Sequence, residues 1–102
     1  MNFRRPFLSR HTVDADGGGV IGNGPFRVKL RAFTLTYVEG QQKLTLPVEL
    51  LTGKTADYNI GTNLIRHWDD SAEVFQASEK FTIENNIFAA LDYMRIRYTN
   101  AR

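Results

Sequence analysis

Ile83, Ile87, Ala90, Leu91 and Met94 recur at intervals of three and four residues near the end of this chain. That spacing puts them on one stripe of an α-helix, with Phe88 alongside and Glu84, Asn85 and Asp92 away from it. A helix with one apolar stripe must cover it with another layer, and the rest of the chain offers strand patterns for the purpose. Ser78 is the predicted cap, accepting from an early backbone N–H, and Glu79 suits the positive first turn.

The strand signals are alternations of period two. Val28 and Leu30 alternate with Lys29 and Arg31; then the phase slips, and Phe33, Leu35 and Tyr37 alternate with Thr34 and Thr36. A bulge or bend near Ala32 is expected, because without one half the apolar set faces water. Glu39-Gly40-Gln41-Gln42 predicts a hairpin turn, with Gly40 free to take positive φ. Leu44, Leu46, Val48 and Leu50 then point one way along a second strand, and Pro47 predicts at least one unpaired side there. Thr52-Gly53-Lys54 is a predicted turn, Tyr58 and Ile60 a third strand, and Arg95 to Thr99 a closing strand. Leu64, Ile65 and Trp68 are spaced as a turn plugging the core, and Asp69-Asp70-Ser71-Ala72-Glu73 as an acidic loop. The expected fold is α+β: a small, mainly antiparallel sheet packed against one amphipathic helix.

Residues 1–25 are expected as a flexible, basic and glycine-rich segment ahead of one domain over 26–102. Asp16-Gly17-Gly18-Gly19 and Gly22-Asn23-Gly24-Pro25 are turn-forming, and Val20-Ile21 is too short an apolar island to hold a strand. A chain of 102 residues has length for one core only. No apolar run approaches the length of about 20 residues that a membrane helix needs. The basic start lacks the apolar stretch of a secretory signal. With no cysteine, the expected setting is cytoplasmic, with no membrane association.

Chemistry is sparse. Gly17 to Gly22 matches G-x-G-x-x-G, but a dinucleotide site needs a strand before it and a helix after it, and Asn23-Gly24-Pro25 follows. Asp14-x-Asp16-Gly17 opens like a calcium loop, yet the closing position holds Pro25 rather than glutamate. His11 and His67 lack the spacing of a helical zinc site. No serine sits in a G-x-S-x-G elbow. The expectation is a non-enzyme with no catalytic residue, metal or cofactor.

Charge is unevenly placed. Residues 26–55 carry five basic and two acidic groups, whereas residues 56–93 carry two and seven. Two binding surfaces follow as expectations. Lys29 and Arg31 share one strand face, and Arg95 and Arg97 another; as neighbours, these strands would offer nucleic acid a basic sheet face. The acidic segment would instead suit a cationic partner.

The hairpin ending in Leu46-Pro47-Val48-Glu49-Leu50 is followed by Tyr58-x-Ile60 and by Ile65-Arg66-His67-Trp68. After the acidic loop comes Ile83-x-x-Asn86-Ile87-x-x-Ala90-Leu91, then a short final strand. Over about residues 33–99 this order resembles the seventy-fourth immunity-protein family of bacterial polymorphic toxin systems. That family commonly has a glycine between helix and last strand, where this chain has Tyr93-Met94. The resemblance implies a protein that neutralises a cognate toxin by direct binding. Many such toxins are nucleases with cationic sites, which an acidic inhibitor surface complements. His67, Trp68, Asp69, Asp70 and Glu73 are the expected partner-binding residues, Trp68 as anchor or as core. Replacing Asp69 and Asp70 together with lysine is expected to spare folding and weaken binding.

Overall fold

The computed structural model describes residues 8–14, 17–22, 26–53 and 55–100. The elements run β1 (Leu8–Asp14), β2 (Gly17–Gly22), β3 (Phe26–Leu30), β4 (Thr34–Glu39), β5 (Gln42–Leu50), β6 (Tyr58–Ile60), a 3-10 turn (Thr62–Leu64), α1 (Ala77–Tyr93) and β7 (Tyr98–Asn100). The strands join in chain order into one sheet. Pairing is antiparallel from β1 to β6 and parallel between β6 and β7. The sheet curls into a half-barrel, and the fold is α+β.

One side of this sheet meets the helix. Phe26, Val28, Leu30, Leu35, Tyr37, Leu44, Leu46, Val48 and Ile60 form a single buried cluster with Ile83, Ile87, Ala90, Leu91 and Met94. The predicted helical stripe and the alternation of β5 are therefore the two halves of the core. Leu50, expected to face the same way, keeps its register opposite Tyr58 but is exposed at the end of β5.

Two strand expectations need correction. The phase slip near Ala32 is not a bulge in one strand but a reversal between two. Arg31 N–H donates to the Thr34 carbonyl at 2.8 Å, and Leu30 pairs with Leu35. With two residues, Ala32 and Phe33, between Arg31 and Thr34, the reversal changes the phase just as a bulge does, and it leaves Phe33 in the turn rather than in the core. Within residues 8–22, expected as tail and loop, β1 and β2 form a hairpin, and β2 continues onto β3 by pairing Gly18–Ile21 with Leu30–Arg27. Backbone pairing asks nothing of side chains, so the glycine-rich composition did not prevent a strand. The rest of the expected flexible segment, residues 1–7, 15–16 and 23–25, lies outside the described residues, as does Lys54 of the turn at 52–54.

Gly40 takes φ +62° at the first position of the two-residue β4–β5 turn, as a type II′ hairpin requires. Pro47 marks the point where β5 changes partner. Residues 42–47 pair with β4, and Val48–Leu50 pair with β6. The Pro47 carbonyl accepts from Gly61 N–H at 3.0 Å. A Cβ on Gly61 would lie 2.8 Å from Pro47 Cγ, so this approach requires glycine.

The helix starts two residues earlier than expected. Gln76, not Ser78, is the N-cap, and its N–H donates to Glu79 Oε1 at 3.2 Å. At the other end Ile96 N–H donates to the Leu91 carbonyl and Arg95 N–H to that of Asp92, both at 3.0 Å. This is a Schellman closure, whose left-handed residue is Arg95 at φ +59°. A left-handed residue with a Cβ is strained by about 1–2 kcal/mol, part of which glycine returns through its freer unfolded chain. Arg95→Gly is therefore expected to stabilise the fold by about 0.5–1 kcal/mol, read as a higher urea midpoint at constant slope. A lower midpoint would show that the Arg95 side chain outweighs the strain.

Candidate functional site

The loop between the 3-10 turn and α1 is held by its own backbone. Phe75 N–H donates to the Arg66 carbonyl at 2.7 Å, Ser71 N–H to that of Trp68 at 3.1 Å, and Glu73 N–H to Ser71 Oγ at 3.1 Å. Trp68 leaves this loop inward. Its ring stacks on Tyr37 with centroids 6.2 Å apart and meets Phe75 edge-on at 5.2 Å; Tyr37 in turn stacks on Phe26 at 5.6 Å. Trp68 is half-buried: one face packs against the core, as the core expectation has it, and the rest borders solvent.

Shallow clefts flank this ring. One is lined by Gln42, Trp68, Ser71, Glu73, Val74, Phe75 and Glu79, the other by Glu39, Trp68, Ser78, Glu79, Thr82 and Ile83. Trp68 and Glu79 border both. Val74 is 68% exposed beside them, an apolar side chain with no cover. Glu39 also accepts a hydrogen bond from the Tyr37 hydroxyl at 2.5 Å, while Asn86 Nδ2 donates to the same hydroxyl at 2.9 Å. Burial first, and the Glu39 acceptor second, push the Tyr37 phenol well above the usual tyrosine range. It stays a neutral donor, and the carboxylate of Glu39 is held at the cleft's wall.

The expected partner-binding residues separate on this geometry. Trp68 and Glu73 line the cleft, and Asp70 is exposed. His67 is exposed, and its Nδ1 donates to the Trp68 carbonyl at 2.7 Å. Asp69 has a different job. Its carboxylate accepts Thr45 N–H at 2.8 Å and Thr45 Oγ1–H at 2.6 Å, and its own N–H donates to the Lys43 carbonyl at 2.8 Å. It takes the place of a neighbouring strand along β5, where β6 does not reach. Asp69 and Asp70, equivalent in sequence, are thus a strand-edge anchor and an exposed charge. Glu39 and Glu79 were missed as cleft residues. The signal for Glu79 was its place in the first helical turn; Glu39 offered none beyond the hairpin.

The expected basic face is assembled differently. Lys29 lies on β3 and Arg97 precedes β7, with β4, β5 and β6 between them in the sheet. Arg97 is spoken for: its Nη2 donates to Asp57 Oδ1 at 2.8 Å and its Nε to Asp57 Oδ2 at 3.2 Å. This fork holds the Asp57 carboxyl below its ordinary value and the Arg97 guanidinium above its own. Arg95 sits in the helix closure. Among the described residues, Arg27 and Lys43 are cations that share the outer face of the sheet with Lys29, through the cross-strand row Arg27–Val38–Lys43 beside Lys29–Thr36–Thr45.

Among the described residues no group of three or more His, Cys, Asp or Glu is placed to hold a metal ion, and no helix is long and apolar enough to cross a membrane. Comparison with family models, with curated proteins and with solved structures returned no match.

Proposed function

We propose that this chain is a non-catalytic protein-binding domain, and that its partner is a cognate bacterial toxin which it neutralises in the cytoplasm by direct binding. The observation that carries this reading is the pair of clefts about Trp68. They combine an aromatic wall fixed by Tyr37 and Phe75, the uncovered Val74, and carboxylates of Glu39, Glu73 and Glu79. An aromatic anchor beside apolar surface, rimmed by charge of one sign, is the anatomy of a protein interface with a cationic partner. The resemblance over about residues 33–99 supports the choice of a toxin.

Co-expression with the protein encoded immediately upstream tests it. Rescue of host growth and co-purification of a complex are expected. Glu73→Lys with Asp70→Lys is expected to weaken the complex about tenfold or more, because rim charges now oppose the partner. A harmless neighbour that forms no complex would remove the toxin reading; a complex indifferent to both substitutions would move the interface away from Trp68.

A further inference from the structure

The outer face of the sheet meets the loop that positions Trp68 at Asp69, which bonds Lys43 and Thr45, and along β3 it has its own chemistry. Side chains alternate along β3, so Phe26, Val28 and Leu30 are buried while Arg27 is exposed and Lys29 half-buried on the other side. Residues two apart on a strand are separated by about 6.7 Å. Arg27, Lys29 and then Arg31, at the start of the turn, therefore form a row of cations at roughly that spacing. The β3–β4–β5 register sets Lys43 two strands across from Arg27, and fills the space between with Thr36, Val38 and Thr45. At the turn end of the row stands Phe33, 73% exposed, the most exposed large apolar side chain among those described. The packing of the core does not use it.

We propose that this face binds single-stranded nucleic acid, with Arg27, Lys29, Arg31 and Lys43 facing the phosphate backbone and Phe33 as a platform for one base. The cations account for attraction to any polyanion. The exposed aromatic ring at the end of the row selects a polyanion that carries flat apolar groups, because base–aromatic stacking needs a bare ring beside a backbone-binding groove. The Thr36 hydroxyl between the cations offers a neutral hydrogen bond to a phosphate oxygen, whereas that of Thr45 is committed to Asp69. The proposal does not depend on the toxin reading, since the surfaces share no proposed contact residue.

Fluorescence anisotropy of a labelled oligothymidylate of about 12 nucleotides, titrated at several salt concentrations, tests it. Saturable binding at about 50 mM salt is expected, with log affinity falling against log salt at a slope between about −2 and −3, about −0.7 per phosphate contact for three to four contacts. Arg27→Ala with Lys43→Ala is expected to reduce that slope by about 1.4 and the affinity by about tenfold or more. Phe33→Ala should lower affinity about fivefold or more while leaving the slope unchanged, since stacking releases no counterion. All these side chains are outside the core, so melting temperatures matching the parent protein identify the changes as binding effects. Absence of saturable binding at the lowest salt would overturn the proposal. So would an unchanged slope in the double variant, an unchanged affinity in Phe33→Ala, or equal competition by a polyglutamate peptide, which has charge but no bases.

Discussion

Replacing Tyr37 with alanine is expected to lower the unfolding free energy by about 3–5 kcal/mol. The ring is fully buried and lies between Phe26 and Trp68 in a ladder that Phe75 completes. Removing it opens a cavity at the point where β4, the 66–75 loop and α1 meet. Aromatic pairs add about 0.5–1.5 kcal/mol beyond burial, and here two are lost together. The hydroxyl contributes separately. Tyr37→Phe keeps the ladder but deprives Glu39 of a donor and Asn86 of an acceptor, for an expected loss of about 1–2 kcal/mol. Urea unfolding followed by circular dichroism gives both numbers. Trp68, the chain's only tryptophan, reports the local change through its emission. If Tyr37→Ala cost no more than Tyr37→Phe, the ladder would contribute nothing and the polar cluster would be the whole of the effect.

The same ladder explains why the cleft is linked to the core. Trp68 can present a wall to a partner only while Tyr37 supports its other side. Tyr37→Ala is therefore expected to weaken partner binding even in the folded fraction, whereas Tyr37→Phe should not. That contrast separates loss of a positioned ring from loss of stability.

Much of this fold was legible because its largest signals are repetitive. The stripe Ile83–Ile87–Leu91 and the alternation Leu44–Leu46–Val48 each repeat a spacing that only one element type satisfies, and both proved buried. Gly40 was legible because a two-residue hairpin turn demands a positive φ. What escaped lies where sequence carries no local mark. Arg31-Ala32-Phe33 reverses the chain without glycine, proline, asparagine or aspartate, so only the phase slip betrayed it, and a bulge gives the same slip. Arg95 holds a left-handed conformation usual for glycine, imposed by the hydrogen bonds that end α1. The β1–β2 hairpin rests on backbone pairing in a segment whose composition suggests turns. The site shared this division. Trp68 and Glu73 were singled out by residue type and position and line one cleft, but the bond between Asp69 and Thr45 joins residues 24 apart in sequence. No spacing rule reaches that far.

That bond supplies the second large effect. Asp69→Ala is expected to destabilise the protein by about 1–2 kcal/mol, the range for charge-assisted hydrogen bonds at a solvent-exposed edge. Thr45 N–H and Oγ1–H lose their acceptor at the part of β5 beyond the reach of β6, while the backbone bond from residue 69 to the Lys43 carbonyl remains. Asp69→Asn keeps one acceptor oxygen and should recover about half of the loss. Asp70→Ala, one position on, should stay within about 0.5 kcal/mol of the parent protein, as exposed substitutions usually do. Amide exchange adds a local readout: the Thr45 N–H should lose protection in Asp69→Ala and keep it in Asp70→Ala. Equal stability of the two variants would show that the carboxylate bond contributes nothing to the edge. The expected inequality also changes how the paired lysine substitution must be read. Asp69→Lys removes the anchor and sets a cation against the Thr45 N–H, so the double variant weakens the fold as well as any interface. Only Asp70→Lys tests the interface alone. A weaker complex from that single variant, with an unchanged unfolding midpoint, assigns Asp70 to the partner and leaves Asp69 to the strand.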